Sequence, residues 1–296
     1  MQGAKPLQQV NAPMLVVLAA GLGSRFGGGK QIALLPNINR TIMELSIEDA
    51  YKAGVREVVL VINEQFKAAI QQDILPRLPS QMQITLVEQS VSQVPEQFAS
   101  YVAQRQKPWG TGHALLCAKA LINKPAIVIT ADDYYGPTAY QQMVEHFQAR
   151  PDDMAMVAYP LAKTLSELGG VNRGICQLNE DKLISVKEYT DIYHTKKEII
   201  GCYEGQQQRL PATALASMTF WGVTPKLLAS LELGFEQFLK SYDNGVRKEY
   251  YLPNCIEQCI VSRNMDLIVY SAEDHWYGVT FKDELAAVAG KIYEQR

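Results

Sequence analysis

The sequence predicts an α/β protein with a three-layer, Rossmann-like, doubly wound sheet that is mostly parallel and in part mixed. Residues 14–20 (MLVVLAA) form an unbroken apolar run before Gly21, which is typical of a central strand buried on both faces. Residues 41–54 follow with apolar side chains at helical spacing and a final glycine, and residues 57–62 (EVVLVI) are predicted as the next strand. This order of strand, helix and strand favours right-handed crossovers between parallel strands.

The later elements continue this alternation to about residue 150 and then change character. The first half is completed by a predicted helix over 64–75, a strand over 82–88, a helix over 112–122 and a strand over 126–130. Strands over 154–159, 174–178 and 183–189 then follow one another across short polar turns, which indicates a mixed or antiparallel extension of the sheet. We expect a long surface excursion over 190–212, because that stretch has no clear period. The chain closes with a predicted strand over 215–223, helices near 225–240 and 249–262, a strand over 267–271 and a last helix from Lys282.

Composition and charge narrow the class of protein. The 296 residues are 47% hydrophobic and 20% charged, which excludes a disordered or collagen-like chain, and the longest apolar run, 14–20, is too short to span a bilayer. With 28 Lys and Arg against 31 Asp and Glu and no basic run, a nucleic-acid partner is not expected. The five cysteines form no CxxC pair and indicate reduced thiols, so the predicted compartment is cytoplasmic. Because no apolar run is long enough to span a bilayer, no membrane partner is expected.

A glycine-rich loop follows the first strand. It reads LAAGLGSRFGGGKQ over residues 18–31, where glycines let backbone amides approach phosphate oxygens and where Arg25 and Lys30 can neutralise phosphate charge. The loop departs from a dinucleotide fingerprint because Phe26 replaces the third glycine. It also departs from a Walker A loop, because Ser24 and Gln31 stand where glycine and a hydroxyl residue are required. We therefore interpret it as a phosphate-binding loop of another kind.

Three motifs in order resemble those of the sugar-phosphate nucleotidyltransferase superfamily. The glycine-rich loop resembles the superfamily's LAAG-x-G-x-R opening with a lysine shortly after it. Residues 109–114 (WGTGHA) resemble its GTGHA segment, and residues 130–133 (TADD), at the end of a predicted strand, resemble its metal-binding segment. The chain is identified as a member of this superfamily, and the resemblance implies a fold of the nucleotide-diphospho-sugar transferase type.

The resemblance also implies a domain organisation. Residues 1–13 are expected to form a disordered tail, and residues 14–296 a single nucleotidyltransferase domain. Within that domain, residues 14–150 would be the nucleotide-binding half, and residues 151–296 the sugar-binding half with the C-terminal helices.

The implied reaction is the Mg²⁺-dependent joining of a nucleoside triphosphate and a sugar 1-phosphate, which gives a nucleotide-sugar and pyrophosphate. Such a displacement needs two anions brought together in line and their charge neutralised. Arg25 and Lys30 suit the triphosphate and Asp132 suits Mg²⁺, so these three are the implied catalytic residues. The implied nucleotide-binding residues are Ala20, Gly21, Gly23, Ser24, Gly110 and Thr111.

The second half resembles the superfamily less closely. Residues 169–174 (GGVNRG) and 182–188 (KLISVKE) resemble sugar-side segments, which implies sugar contacts from Asp133, Gly174 and Glu188, with Asn172 and Arg173 as weaker neighbours. Many members have a second metal-binding aspartate near the C-terminus, where this chain has Gly278. Asp274 is then the expected second metal ligand beside Asp132. Arg105 stands where many members have a base-contacting glutamine, so the choice of base stays open.

Two other hypotheses about the function of the chain remain open. One is a cytidylyltransferase that acts on a non-sugar phosphate acceptor, which the short spacing from Arg25 to Lys30 favours. The other is a non-catalytic, nucleotide-sugar-binding regulatory homologue, which only the unexplained Gly278 favours. Many members of the superfamily are homo-oligomers, and the resemblance extends that expectation to this chain.

Overall fold

The computed structural model describes residues 12–21, 26, 28–105, 107–166, 169–242, 248–263, 265–279 and 282–296. The strands in chain order are β1 (Met14–Ala19), β2 (Glu57–Ile62), β3 (Gln83–Glu88), β4 (Ala126–Thr130), β5 (Asp133–Tyr134), β6 (Met154–Pro160), β7 (Val171–Asn179), β8 (Lys182–His194), β9 (Ile199–Tyr203), β10 (Gln206–Leu210), β11 (Leu215–Val223), β12 (Leu267–Ser271) and β13 (Tyr277–Gly278). The α-helices are α1 (Ile42–Ala53), α2 (Lys67–Ala69), α3 (Thr111–Cys117), α4 (Pro137–Ala149), α5 (Pro225–Lys240), α6 (Leu252–Arg263) and α7 (Leu285–Gln295). Most of the predicted tail over 1–13 lies outside the described residues.

One large mixed sheet carries almost all of these strands. Its order is β10-β9-β8-β12-β6-β11-β4-β1-β2-β3, and β7 pairs with both β8 and β11. Strands β4, β1, β2 and β3 are parallel neighbours, as the sequence predicts for the first half. Strand β11 joins the two halves, because it is antiparallel to β4 on one side and to β6 on the other. The predicted doubly wound sheet with a mixed extension is confirmed.

The sheet is buried on both faces, which gives three layers. On β1, Leu15 and Val17 belong to one core cluster, and Val16 and Leu18 belong to another on the opposite face. Because side chains alternate between the two faces of a strand, an unbroken apolar strand needs cover on both sides. Helices α1 and α4 contribute to the first cluster, and α3, α5 and α6 contribute to the second.

Helix α1 shows how local sequence sets an element's limits. The Thr41 hydroxyl accepts from the Glu44 backbone N–H at 3.1 Å, and the Glu44 carboxylate accepts from the Thr41 N–H at 2.7 Å. This reciprocal capping box satisfies donors that the first turn leaves free. Gly54 ends the helix with a φ of 112°, a conformation that glycine adopts without steric cost.

The stretch 190–212 differs from the expected surface excursion. Strand β8 continues to His194, and β9 and β10 form a hairpin that extends the sheet to a new edge. Glu204 and Gly205 both have positive φ at the hairpin turn, at 50° and 78°. The pattern misled the prediction because four of the five β10 side chains are exposed, so the edge strand carries no alternation. Among the described residues, no helix is long and apolar enough to cross a membrane.

Candidate active site

The site forms where β1 and β4 end side by side. These strands are parallel neighbours, with Leu18 opposite Thr130, so the segments that follow them leave the sheet at the same edge. There the Lys30 ammonium lies 2.5 Å from the Asp132 carboxylate, although the two belong to different motifs. Both groups are largely shielded, with 15% of the Lys30 side chain and 29% of the Asp132 side chain exposed. Two of the three implied catalytic residues are therefore in contact.

The glycine-rich loop is described in part. Gly28 and Gly29 have φ values of 94° and 64°, which side chains rarely adopt, so these two positions favour glycine. Gln31 is buried, and its amide donates to the Gly21 carbonyl at 2.5 Å. Gln31 thus ties the end of the loop to its start, next to the buried Ala20. The predicted residues Gly23, Ser24 and Arg25 lie outside the described residues.

Asp133 is held by a chain of polar contacts behind the site. The Thr130 hydroxyl donates to the Asp133 carboxylate at 2.6 Å, and the Tyr135 hydroxyl lies 2.7 Å from that same Thr130 oxygen. Tyr135 in turn donates to the Thr219 carbonyl at 3.2 Å. Burial, together with the neighbouring charge of Asp132, raises the pKa of Asp133 to about 7. The two adjacent carboxylates therefore resist being charged at the same time.

A cleft of about 240 Å³ opens beside Asp133 and is called here the β7–β8 cleft. It is lined by Asp133, Asn172, Arg173, Gly174, Val186, Glu188, Ser217, Met218, Thr219 and Pro253. The structure thus brings together the three residues predicted to contact a sugar. Gly174 and Glu188 are direct partners across the β7 and β8 pair. A Cβ on Gly174 would lie 2.5 Å from Val186 and 3.4 Å from the Glu188 carboxylate, so glycine lets Val186 pack closely at this wall.

Charges of both signs face each other in this cleft. Burial lowers the pKa of Arg173, whereas the negative charges of Asp133 and Glu188 raise it. Burial also raises the pKa of the Glu188 carboxyl, and the charge of Arg173 lowers it. Lys187 does not line the cleft, and its ammonium lies 5.3 Å from the centre of the Tyr203 ring. Arg173 was expected only as a weaker neighbour of the sugar contacts, because nothing in the local pattern shows that its charge interacts with two carboxylates.

Thr219 has an unusual backbone conformation in the wall of the cleft. It lies in a bulge of β11, where the pairing with β6 shifts between Ser217 and Trp221, and its φ is 62°. A positive φ on a β-branched residue is sterically costly and is concentrated at functional sites. Its position carries no signal in the sequence, because Thr is common in strands.

The GTGHA-like segment packs against another part of the chain. Gly110 has a φ of 106°, and a Cβ there would lie 2.6 Å from the Tyr250 carbonyl oxygen. Gly112 donates its N–H to the same carbonyl at 2.9 Å, and the Thr111 hydroxyl accepts from the Leu252 N–H at 3.0 Å. These two glycines therefore allow the backbone at Tyr250, in the second half of the chain, to approach closely. Contact of Gly110 and Thr111 with a nucleotide base stays a prediction.

Arg105, which stands at the base-contacting position of the superfamily pattern, is a buried support in this structure. Its guanidinium carbon lies 4.2 Å from the centre of the Trp109 ring. Its nitrogens donate to the carbonyls of Lys107 and Pro108, each at 2.8 Å. These contacts hold the loop that leads into α3.

Gln89 is a buried residue that sequence analysis did not single out. Its amide donates to the Gly110 carbonyl at 3.1 Å and lies 3.0 Å from His113 Nδ1. The other His113 nitrogen lies 2.8 Å from the Gln93 carbonyl, and burial lowers the pKa of His113. A neutral imidazole with a hydrogen-bond partner at each nitrogen fits a role for His113 in supporting the loop before α3. The polar end of β3 was the available signal for Gln89, since ligands bind beyond the ends of parallel strands.

The two ends of the predicted metal site have different surroundings. One Asp274 oxygen accepts from the Thr138 N–H at 2.9 Å and from its hydroxyl at 2.7 Å, so Asp274 caps α4. Gly278 pairs with Asp133 in the small sheet of β5 and β13. Among the described residues, no group of three or more His, Cys, Asp or Glu side chains is placed to hold a metal ion. Metal binding by Asp274 stays a prediction, and it would have to coexist with this cap.

Asp132 and Asp133 nevertheless provide a donor set that fits a hard cation. Adjacent carboxylates disfavour each other's charge, and a divalent ion would relieve that repulsion. Mg²⁺ keeps several waters and needs only one or two carboxylates when phosphates complete its shell.

Comparison with known proteins supports the predicted resemblance. A family model described as the MobA-like NTP transferase domain matches residues 15–164. A UTP–glucose-1-phosphate uridylyltransferase of Bacillus subtilis (strain 168) is 26% identical over 167 residues, covering 53% of this chain and 53% of that protein. A UTP–glucose-1-phosphate uridylyltransferase of Pseudomonas aeruginosa is 31% identical over 143 residues, covering 44% of this chain and 51% of that protein. The chain therefore spans about half the length of the curated relatives it matches.

Solved structures share the fold over nearly the whole chain. UDP-glucose pyrophosphorylase complexed with UDP-glucose has a TM-score of 0.58 at 16% identity, covering 96% of this chain and 100% of that chain. The inositol-1-phosphate CTP transferase from T. maritima has a TM-score of 0.61 at 13% identity, covering 96% of this chain and 97% of that chain. At these identities the likeness shows the fold, and it confirms the predicted fold class.

Proposed function

The chain belongs to the MobA-like NTP transferase domain family, and from this premise we propose that it joins a nucleoside triphosphate to a sugar 1-phosphate and releases pyrophosphate. The observation that carries the proposal is the continuity of the site. Lys30 contacts Asp132 at 2.5 Å, and the next residue, Asp133, lines the β7–β8 cleft. A nucleotide at the glycine-rich loop and an acceptor in the cleft would therefore meet at these two aspartates.

The nucleotide end supplies charge neutralisation. Attack on the α-phosphorus brings two anions together, so cations beside the phosphates lower the barrier. Lys30 lies at the end of the loop, and a triphosphate there would compete with Asp132 for its ammonium. Arg25 is proposed as the second cation, and the backbone of Ala20, Gly21, Gly23 and Ser24 as the phosphate cradle.

A divalent cation, proposed as Mg²⁺, would be held by Asp132 with the adjacent Asp133. When bound, it would neutralise charge on the phosphate oxygens. The Thr130 hydroxyl fixes the Asp133 carboxylate at 2.6 Å. The Lys30 ammonium, which lies 2.5 Å from Asp132, would move to the triphosphate when the cation binds.

The acceptor end recognises hydroxyl groups. The carboxylates of Asp133 and Glu188 both line the cleft and accept hydrogen bonds from hydroxyl groups. The similar uridylyltransferases are named for UTP and glucose 1-phosphate, so we propose this pair as the first substrates to test.

The test is a pyrophosphate-release assay in Mg²⁺ with UTP, dTTP, CTP, GTP and ATP, each combined with a panel of sugar 1-phosphates and phosphorylated alcohols. We expect release with one nucleotide and a sugar 1-phosphate, and a loss of about a hundredfold or more in the Lys30→Ala variant. Lys291→Ala, which alters an exposed lysine of α7, is the matched control. Release only with CTP and a phosphorylated alcohol would favour the cytidylyltransferase reading. Nucleotide binding without release from any pair would favour the non-catalytic reading.

A further inference from the structure

Arg173 is held firmly at the wall of the β7–β8 cleft. One terminal nitrogen donates to the Asn172 carbonyl at 2.9 Å, and the other donates to the Thr164 carbonyl at 2.6 Å. These bonds fix the plane of the guanidinium and still leave N–H groups on both terminal nitrogens. The Nε atom is buried and has no hydrogen-bond partner. The buried Nε is closed off from the cleft, so the unused capacity of this guanidinium to bind an acceptor lies in the remaining N–H groups of its terminal nitrogens.

An indole ring supports the same guanidinium. The guanidinium carbon of Arg173 lies 5.0 Å from the centre of the Trp276 ring, within the range of a cation–π contact. Gly278 makes room for this ring, because a Cβ at position 278 would lie 2.4 Å from Trp276. The same Cβ would lie 2.8 Å from the Asp133 carboxylate. The glycine at 278 thus lets Trp276 lie under Arg173 beside the reacting end of the site.

Arg173 is also the only cationic side chain among the described residues that line the cleft. Arg173 lines the same cleft as Asp133, and Asp133 directly follows Asp132, where transfer would occur. The other nearby cation, Lys30, is engaged by Asp132 at 2.5 Å.

We propose that Arg173 binds the phosphate group of the acceptor, a phosphate monoester, and that Trp276 is the residue that positions it. A guanidinium presents a planar set of donors that matches two phosphate oxygens, and it stacks on aromatic rings better than an ammonium does. This inference rests on the proposed function, because that function places a phosphate monoester in the cleft.

The first experiment compares steady-state kinetics of wild type, Arg173→Met and Arg173→Lys with UTP and glucose 1-phosphate, or with the pair that the release assay selects. We expect Arg173→Met to raise the KM for the sugar phosphate about tenfold or more and to leave the KM for the nucleotide unchanged. Arg173→Lys should fall between the two, since it keeps the charge and loses the planar donors. Trp276→Leu should raise the same KM about threefold, and Trp276→Phe should restore it.

Arg209→Met is the matched control. Its side chain is 81% exposed, and it pairs with Glu198 away from the lining of the cleft. Arg209→Met changes the net charge by the same amount as Arg173→Met. A rise in the KM for the sugar phosphate that both variants share would therefore result from the change in net charge. An unchanged KM for the sugar phosphate in Arg173→Met and Arg173→Lys, with folding verified by circular dichroism, would overturn the inference.

A second experiment does not depend on turnover. Inorganic phosphate is titrated calorimetrically into the Lys30→Ala variant, which weakens the nucleotide end, and into Lys30→Ala/Arg173→Met. We expect the first to bind phosphate and the second to bind it about tenfold more weakly. Equal binding by the two proteins, or none by the first, would overturn the inference. An absence of pyrophosphate release from wild type would contradict the proposed function. The comparison of phosphate binding by the two variants would still test the role of Arg173.

Discussion

The nucleotide end and the acceptor end of the site are built in different ways. At the nucleotide end, a contiguous loop follows one strand, and its glycines and cations are neighbours in the chain. At the acceptor end, the lining residues come from β5, β7, β8, β11 and α6. A contiguous loop needs little besides its own backbone to take its shape, whereas the cleft exists only when distant strands pair in the correct register. Changes at the first end should therefore affect chemistry, and changes at the second should affect acceptor binding and stability.

The largest expected effect comes from Asp132→Asn, at the junction of the two ends. We expect kcat/KM to fall about a thousandfold with the fold intact, because the charge proposed to hold the cation is removed. The measurement is pyrophosphate release as a function of Mg²⁺ concentration. Asp274→Ala is the comparison, since its loss of the α4 cap should cost about 1 kcal/mol of stability. A shifted Mg²⁺ dependence in Asp274→Ala would assign Asp274 to the metal as well, and full activity of Asp132→Asn would contradict the assignment of Asp132.

A smaller effect, confined to the acceptor end, is expected from Gly278→Ala. The added Cβ would lie 2.4 Å from Trp276 and 2.8 Å from the Asp133 carboxylate, so one of these groups must move. Overpacking of this kind costs about 1–3 kcal/mol. We expect a lower Tm and a higher KM for the acceptor, with the nucleotide KM unchanged. Gly290→Ala in α7 is the control, because a Cβ there meets nothing within 4 Å; equal behaviour of the two variants would remove the special role of Gly278.

Thr219→Gly tests whether the acceptor end stores backbone strain. Glycine adopts the φ of 62° at low cost, so we expect the free energy of unfolding to rise by about 1 kcal/mol, seen as a higher Tm. The KM for the acceptor should also rise, because Thr219 lines the cleft. Glu204→Gly relieves a φ of 50° in the β9–β10 turn and should raise Tm alone. A lower Tm in Thr219→Gly would show that the bulge holds no strain that glycine can relieve.

The smallest expected effect is the pH dependence contributed by Glu188. Burial raises the pKa of Glu188 in the folded state above its ordinary value of 4.5. Between that value and the raised pKa, the folded state binds more protons than the unfolded state, so this group's contribution to stability falls as pH rises. Glu188→Gln removes that loss. The Tm difference between Glu188→Gln and wild type should therefore be larger at about pH 8 than at about pH 5, by roughly 2 °C or less. A difference that shrinks toward high pH would reverse the assignment.

The elements that were predictable are those with a local cause. The limits of β2, β4, β11, α5 and β12 follow from apolar runs and helical spacing bounded by turn residues, and the observed bounds match. Helix α1 begins and ends where its capping residues require. The hairpin of β9 and β10 was missed, because an exposed edge strand with the sequence QQQRL has no hydrophobic alternation to reveal it.

The residues of the candidate site also differ in whether their roles have a local cause in the sequence. The glycine-rich loop, Lys30 and Asp132 were recognisable as motifs, since phosphate and metal chemistry requires particular residue types at short spacing. Gln89 and Thr219 were not, and Arg173 was expected only as a weaker neighbour of the sugar contacts, because their roles depend on partners that are remote in the chain. Arg105 is a different case: it replaces the glutamine of the superfamily pattern, which left the base contact open, and its guanidinium packs on Trp109.

Local residue patterns were enough to predict the layered α/β architecture, and they also predict a phosphate-binding role for the first loop, because both depend on residues a few positions apart. The tertiary structure decided which charged groups face one another. It placed the Lys30 ammonium against Asp132, Arg173 in one cleft with Asp133 and Glu188, and Trp276 in the space beside Gly278. Those contacts depend on strand order and register, which are set by the burial of the whole sheet between two layers of helices. No single segment of the chain specifies them.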